Sequence, residues 1–495
     1  MLIPRIMFAM PAPDPSSRRA CALAFGLIAA VTLVRVIVLA LAPPNLSFDE
    51  AQYWAWAQTI QLGYYSKPPM VAWAIAATTA LFGEGEGAIK LGSTLAHGGT
   101  AVLVALLGRA LFGRAVGAWS GAAWIAMPAV SLSAVMITTD PFLLFFWAAA
   151  LLALVEAPRL GAGPNRWWVV LGLALGLGLL SKYAMAFFLG CLALWLAWDK
   201  AARPLAKARG LWLAVGLGVL IYLPNLIWNA SNGFVSYVHT KDNANLKGDL
   251  FNPDKLAEFL AGQFGVFGPI MAVALVMGLV AALRKGADSR LRLLTAFSLP
   301  VLVLMVAESL ASRANANWSA PAYVAGTVLA TWLIASRRPL LLKVSLALHL
   351  LIMGSMYGLD AARTVVDFKF DPEKRIKGWD RVGERVSAVL AAHPGARLLA
   401  DERKVLATLV YYVRPHPFDA VKWNPSGRIR DHFDQTTRLE PGPGELIYVT
   451  ELPDLPGDMR DHFAAADKIE DITIPLHHDY ARRLSVWRLA GFKGY

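Results

Sequence analysis

Charge is scarce in this chain. Asp, Glu, Lys and Arg make up 17% of its 495 residues, against 56% hydrophobic residues, a balance that excludes a soluble globular protein of this size. Cysteine is nearly absent: Cys21 and Cys191 are the two present, both in apolar runs, which excludes a disulfide framework and reads as small core residues. No P-loop, dinucleotide fingerprint, HExxH or paired CxxC occurs, so nothing points to a nucleotide-sugar site. Solenoid-length repeats and low-complexity tracts are missing as well.

What the chain does have is long apolar runs. A spanning helix needs about 20 mostly apolar residues, and such stretches lie near 20–42, 88–108, 115–135, 141–157, 166–181, 184–198, 210–228, 262–283, 291–311, 320–336 and 340–360, eleven in all. The net charge of +12 would suggest nucleic acid in a soluble domain. Here the basic residues cluster in short loops: Arg109 and Arg114; Arg159 and Arg166; Lys200, Arg203, Lys207 and Arg209; Arg284, Lys285, Arg290 and Arg292; Arg337, Arg338 and Lys343. The positive-inside rule makes those loops cytoplasmic and leaves no nucleic-acid partner. The chain therefore reads as a polytopic α-helical membrane protein, in contact with lipids. The connections holding Asp140, Lys182, 229–261 and Ser312 to Ser319 then face the other, outer side.

Parity decides one ambiguous segment. Pro68 to Phe82 is apolar but about 15 residues long, the length of an interfacial or re-entrant helix, and counting it as a span would put every arginine-rich loop outside. Read as interfacial, it leaves Asp49, Lys67 and Asp140 on one face of the membrane. Arg18, Arg19 and the run to Ala42 resemble a signal peptide, but the run is long, contains Arg35, and meets Pro43 where cleavage would fall; an uncleaved first helix is expected. From about Asp360 charges become frequent. Helices are expected at Val382 to Ala392, Val405 to Tyr412 and Met459 to Ala466, and strands at Arg397 to Ala400, Leu446 to Thr450 and Leu484 to Leu489. The expected division is a membrane domain over 1–360, with an outer loop at 43–87, and a small outer α/β domain over 361–495.

Chemistry-bearing residues gather on the outer face. Asp49 and Glu50 stand just beyond the first apolar run, where adjacent carboxylates need water, a cation or a reacting partner; the alternative is a helix cap, with Ser47 or Asp49 opening a helix through Trp56. Tyr53, Trp54 and Trp56 follow as interfacial rings. Tyr64, Tyr65 and Lys67 come before Pro68 and Pro69, which fix the backbone and aim the lysine at a headgroup phosphate. Asp140 precedes Pro141, again either a helix cap or a group facing the same vestibule. Lys182 and Arg313 are cations on a face where cations are depleted, which favours an anionic ligand over snorkelling. Pro224 to Asn229, on to His239, combines amides with rings in the manner of a sugar site, though Asn232-Gly233 is also a plain turn signal. Arg35 is expected to pair with a carboxylate, Glu308 is a similar intramembrane charge, and His97 is expected to be packed and hydrogen-bonded. Asp49, Glu50 and Asp140 would bind a divalent ion if they converged; no other cofactor is indicated.

In order and spacing, Asp49-Glu50-Ala51, Tyr65-Ser66-Lys67-Pro68-Pro69, Leu111-Phe112-Gly113, Thr139-Asp140-Pro141, Ser181-Lys182-Tyr183, Asn225-Leu226-Ile227-Trp228-Asn229 and Ala316-Asn317-Trp318 resemble the GT-C superfamily of membrane glycosyltransferases. The branch is the bacterial one related to protein O-mannosyltransferases and the lipid A aminoarabinose transferase, and the resemblance implies a bacterial inner-membrane protein whose outer loop at 43–87 and C-terminal domain are periplasmic. The resemblance implies inverting transfer of a sugar from a polyprenyl-phosphate donor to an acceptor hydroxyl of lipid A, another envelope glycan or a protein serine or threonine. It implies Asp49 as general base, Lys67 as the clamp on the departing phosphate, Asp140 as a positioning carboxylate, and Lys182, Arg313 and Asn317 as phosphate or sugar contacts. A transporter or lipid flippase is the main competing class, but internal repeats and midplane charges are missing. A non-catalytic scaffold leaves Asp49, Lys67 and Asp140 without a purpose.

Overall fold

A computed structural model describes residues 16–161, 163–243, 250–363, 371, 373–477 and 479–495. It divides into two compact units. The first takes the described residues of Met1–Leu41, Lys67–Val71 and Lys90–Leu359, and the second those of Ala42–Ser66, Ala72–Ile89 and Asp360–Tyr495.

The first unit is helical. Among the described residues seven helices are long and apolar enough to cross a bilayer: Arg19–Leu41, Glu86–Phe112, Asp140–Leu160, Arg209–Ser231, Ser289–Ala311, Ala316–Arg337 and Leu340–Leu359. Two of the eleven expected spans are broken, and two more form within their expected bounds but as short helices. The 262–283 stretch belongs to a pair, Pro253–Phe267 and Pro269–Ala282, bent by 108°, because Gly268 sits at φ +83° and Pro269 has no N–H to continue the ladder. The 115–135 stretch breaks at Met127, with Pro128 opening a new six-residue helix. Stretches 166–181 and 184–198 fold as short helices parted at Lys182, whose backbone is extended at φ −157°, ψ 136°. Glycines let helices approach in this unit: a Cβ on Gly172 would lie 2.8 Å from Ala214 O, and one on Gly176 2.6 Å from Ile221 Cβ. The small-residue face of Arg166–Ser181 thus seats against Arg209–Ser231, as membrane helices without a hydrophobic drive between them require. The core runs through Trp124, Trp147, Trp168 and Trp195, all buried.

The second unit carries a five-stranded sheet: β1 (Arg397–Ala400), β2 (Val421–Lys422), β3 (Gly442–Thr450), β4 (Phe463–His477) and β5 (Tyr480–Phe492), in the order β2-β1-β3-β5-β4. β1 runs parallel to β2 and β3, while β5 is antiparallel to β3 and β4. Leu398, Leu399 and Ala400 are all fully buried, the unbroken apolar run expected of a strand covered on both faces. The expected helices at 382–392 and 405–412 form as Trp379–Ala392 and Arg403–Tyr412. The helix expected over Met459 to Ala466 does not. Met459–His462 is a single 3-10 turn and the chain then enters β4, where Phe463 pairs with Phe492 and Ala466 with Leu489; cross-strand pairing overrides the helical preference of Ala464, Ala465 and Ala466.

Candidate active site

In the first unit the site begins at Asp140, the first residue of Asp140–Glu156. It does not cap that helix: Thr139 takes the cap position, and no side-chain cap bond is made. The carboxylate instead reaches across the unit. Lys182 Nζ donates to Oδ1 at 2.5 Å and Asn317 Nδ2 donates to Oδ2 at 2.8 Å, with the aspartate side chain 13% exposed and the lysine 24%. The Lys67 ammonium also acts electrostatically on this carboxylate. Four of the residues singled out in the sequence therefore converge. Two ammonium groups against one carboxylate leave a positive excess, the charge that holds a phosphate.

Two members, Lys182 and Asn317, are braced from behind. Lys182 follows the last turn of Arg166–Ser181, and the neighbouring Tyr183 hydroxyl is bound by Asn229 Nδ2 at 3.2 Å and meets Asn225 Oδ1 at 3.5 Å. These two asparagines do not lie in a loop. They are fully buried, one turn apart, inside Arg209–Ser231, and the turn comes later, where Gly233 and Phe234 adopt positive φ. Their amides thus serve to fix the backbone beside Lys182. Asn317 rides on the 3-10 turn Ala316–Ser319, which Gln263 holds: its Oε1 accepts from Ser319 Oγ at 2.6 Å and from the Tyr323 hydroxyl, and its Nε2 donates to Ala316 O at 3.4 Å and to Phe259 O at 3.0 Å. A cavity of about 600 Å³ opens beside Asp140 and Asn317. Its walls are apolar, from Trp124, Met127, Val130, Leu144, Val266 and Met356, with His97 and Ser133 as further polar lining. His97 Nε2 meets Ser133 Oγ at 3.0 Å.

Arg35 departs from expectation. It is fully buried, yet among the described residues its partners are neutral: the Tyr357 hydroxyl at 3.0 Å, Ile125 O at 2.8 Å and Ser131 Oγ at 3.0 Å. Three converging oxygens replace the expected carboxylate. Glu308 has one buried oxygen without a hydrogen bond among the described residues. Arg313 is exposed, and His239 pairs with Asn243 at 3.1 Å on the helix Val235–Asn243.

In the second unit Asp49 and Glu50 open the helix Phe48–Ala57, but they point apart, since adjacent helical residues lie roughly 100° apart around the axis. Glu50, 1% exposed, closes a capping box: Ser47 N donates to Glu50 Oε2 at 2.8 Å and Glu50 N donates to Ser47 Oγ at 3.4 Å. Asp49 faces outward, its side chain 48% exposed. Arg403 Nη1 donates to Asp49 Oδ1 at 3.0 Å and to Gln52 Oε1 at 3.1 Å. The rings expected at a lipid interface are buried within this unit. Trp54 packs on Tyr411, His416 and Phe418 at 5.0, 4.5 and 5.8 Å, and Trp56 stacks on Tyr64 at 4.8 Å. The Tyr64 hydroxyl ties the loop, meeting Trp56 O at 3.0 Å, Thr59 O at 2.9 Å and Gln61 N at 3.2 Å. Tyr65 is buried as well. Among the described residues no group of three or more His, Cys, Asp or Glu side chains is placed to hold a metal ion.

Sequence reading missed Gln263 and Arg403. Gln263 carried a signal, an amide inside an apolar run; Arg403 carried none.

Comparison with known proteins shows the family and the fold. Residues 66–228 match the family described as dolichyl-phosphate-mannose-protein mannosyltransferase. The lipid A galacturonosyltransferase RgtD of Rhizobium johnstonii is 33% identical over 428 residues, 85% of this chain and 89% of that protein. The undecaprenyl phosphate-alpha-4-amino-4-deoxy-L-arabinose arabinosyl transferase 1 of Pseudomonas fluorescens is 31% identical over 176 residues, 34% of this chain and 32% of that one. Among solved structures, ArnT from Cupriavidus metallidurans bound to undecaprenyl phosphate superposes with a TM-score of 0.61 at 17% identity, covering 93% of this chain and 97% of that one.

Proposed function

Because the chain belongs to the GT-C superfamily of membrane glycosyltransferases, we propose that it transfers a galacturonosyl unit from a polyprenyl-phosphate carrier to a hydroxyl of lipid A. The observation that carries this reading is the match to a lipid A galacturonosyltransferase along 85% of the chain. The transporter alternative gives way to an enzyme, and acceptors on protein are not part of the proposal. Transfer is placed on the periplasmic face, opposite the arginine-rich loops, a side supported by the distribution of charge.

In this reading the lipid phosphate is the leaving group, and the chain supplies cations where its charge grows. Lys67 and Lys182 provide two. Asp140 spends one carboxylate oxygen on Lys182 and the other on Asn317, so its role is to aim a lysine that retains two further N–H donors. The apolar cavity beside it suits a hydrocarbon chain. Asp49, half-exposed at the start of its helix, is the proposed base that takes the acceptor proton as the hydroxyl attacks the anomeric carbon, and a single displacement of this kind inverts the configuration there.

The test is mass spectrometry of lipid A from a strain lacking the gene. Loss of one uronic acid mass, restored by the parent gene on a plasmid, is the expected result; an unchanged lipid A profile overturns the proposal.

A further inference from the structure

We propose that Arg403 is a positioning residue for Asp49, so that the helix following β1 contributes to sugar transfer along with the helix that bears the base. This rests on the reading of Asp49 as the base. A half-exposed carboxylate has several rotamers open to it, and a base is effective only when held within hydrogen-bonding geometry of the proton it takes. Among the described residues Arg403 is the hydrogen-bond donor to the Asp49 side chain, and it binds Oδ1 alone. Oδ2 carries no hydrogen bond among those residues, which leaves it for the acceptor hydroxyl.

The arginine is itself held by two further groups. Its Nη1 is shared with Gln52 Oε1 at 3.1 Å, and its guanidinium lies over the Phe48 ring at 4.6 Å, a cation–π contact. Arg403 is also the first residue of Arg403–Tyr412, the helix that follows β1. The far end of that helix is tied to the same loop as Asp49: Leu46 N donates to the Tyr412 hydroxyl at 2.7 Å, and the Tyr412 hydroxyl bonds Glu86. Arg403 thus approaches Asp49 from a backbone anchored at both ends. The location follows a rule of open α/β sheets. β1 has β2 on one side and β3 on the other, and groups beyond the carboxyl end of a strand at such a switch point are where these folds place function.

The experiment uses the full-length protein in detergent, with polyprenyl-phosphate galacturonic acid as donor and lipid A as acceptor. Arg403→Ala is expected to lower kcat by about ten- to a hundredfold, the scale set by misplacing a catalytic group by about 1 Å, while the donor KM stays within about twofold. Added guanidinium at non-denaturing concentration is expected to restore part of the Arg403→Ala rate and none of the Asp49→Asn rate. Joining Arg403→Ala to Asp49→Asn is expected to cost nothing beyond Asp49→Asn alone. An Arg403→Ala enzyme with parental kcat beside an inactive Asp49→Asn enzyme overturns the positioning role and spares the base. A fully active Asp49→Asn enzyme overturns the base, and the positioning role with it.

Discussion

Replacing Lys182 by methionine keeps the length of the side chain and removes its charge, leaving Asp140 with Asn317 as its hydrogen-bond donor. At the 2.5 Å separation observed, an effective dielectric of about 20 makes the Coulomb attraction roughly 6–7 kcal/mol. Desolvating both ions costs several kcal/mol, though less here than for a fully buried pair, because the side chains keep 24% and 13% of their exposure. Lys67 also acts on the same carboxylate and offsets part of the loss. The coupling left between Asp140 and Lys182 is then about 1–3 kcal/mol, in the range of other charge-assisted hydrogen bonds. A double-mutant cycle measures it directly, with Lys182→Met, Asp140→Asn and the two combined, read as the thermal midpoint in detergent and as kcat/KM for the polyprenyl-phosphate donor. The doubly neutral protein is expected to regain thermal stability relative to Lys182→Met while remaining slow in turnover. A coupling below about 0.5 kcal/mol in the stability cycle would make this an ordinary solvated pair and refute the view that Asp140 exists to aim Lys182.

Gln263→Leu removes the acceptor for Ser319 and Tyr323; at about 1 kcal/mol per neutral hydrogen bond the expected destabilisation is about 2 kcal/mol, with a fall in kcat as the Asn317 turn loosens, both read on purified protein. Gly268→Ala is expected to destabilise by more than about 2 kcal/mol, because the residue sits at φ +83° and a Cβ would lie 2.0 Å from His349 Nε2. Adding His349→Ala should relieve the clash but not the backbone strain, so partial recovery of the thermal midpoint is the expected result and full recovery would contradict it.

Local features were the legible ones. β1 was readable because Leu398, Leu399 and Ala400 form an unbroken apolar run, and the helix after it because its apolar residues keep a helical period. β4 was hidden, since Ala464 to Ala466 favour a helix until β5 supplies a partner. The break at Lys182 was legible as a gap between two apolar runs, whereas the bend at Gly268 was hidden, because hydropathy measures how much apolar surface a run has, not where its backbone turns. Sites followed a second rule, set by the cost of burying charge. Lys182 and Asp140 stood out because a charge at the edge of an apolar run is expensive and must be explained; only their pairing, 42 residues apart, was out of reach. Arg35 was conspicuous for the same reason, but its partners are a phenol, a hydroxyl and a carbonyl, groups that a search for opposite charge passes over. Arg403 lies 354 residues from Asp49, in a stretch where charged residues are common and cost little. Nothing in its own surroundings distinguishes it from Arg397 or Arg414. What sets it apart is the carboxylate it touches, so a charge beside an apolar run, such as Asp49, announces itself in sequence, while a charge within a polar stretch, such as Arg403, is disclosed only when the chain is folded.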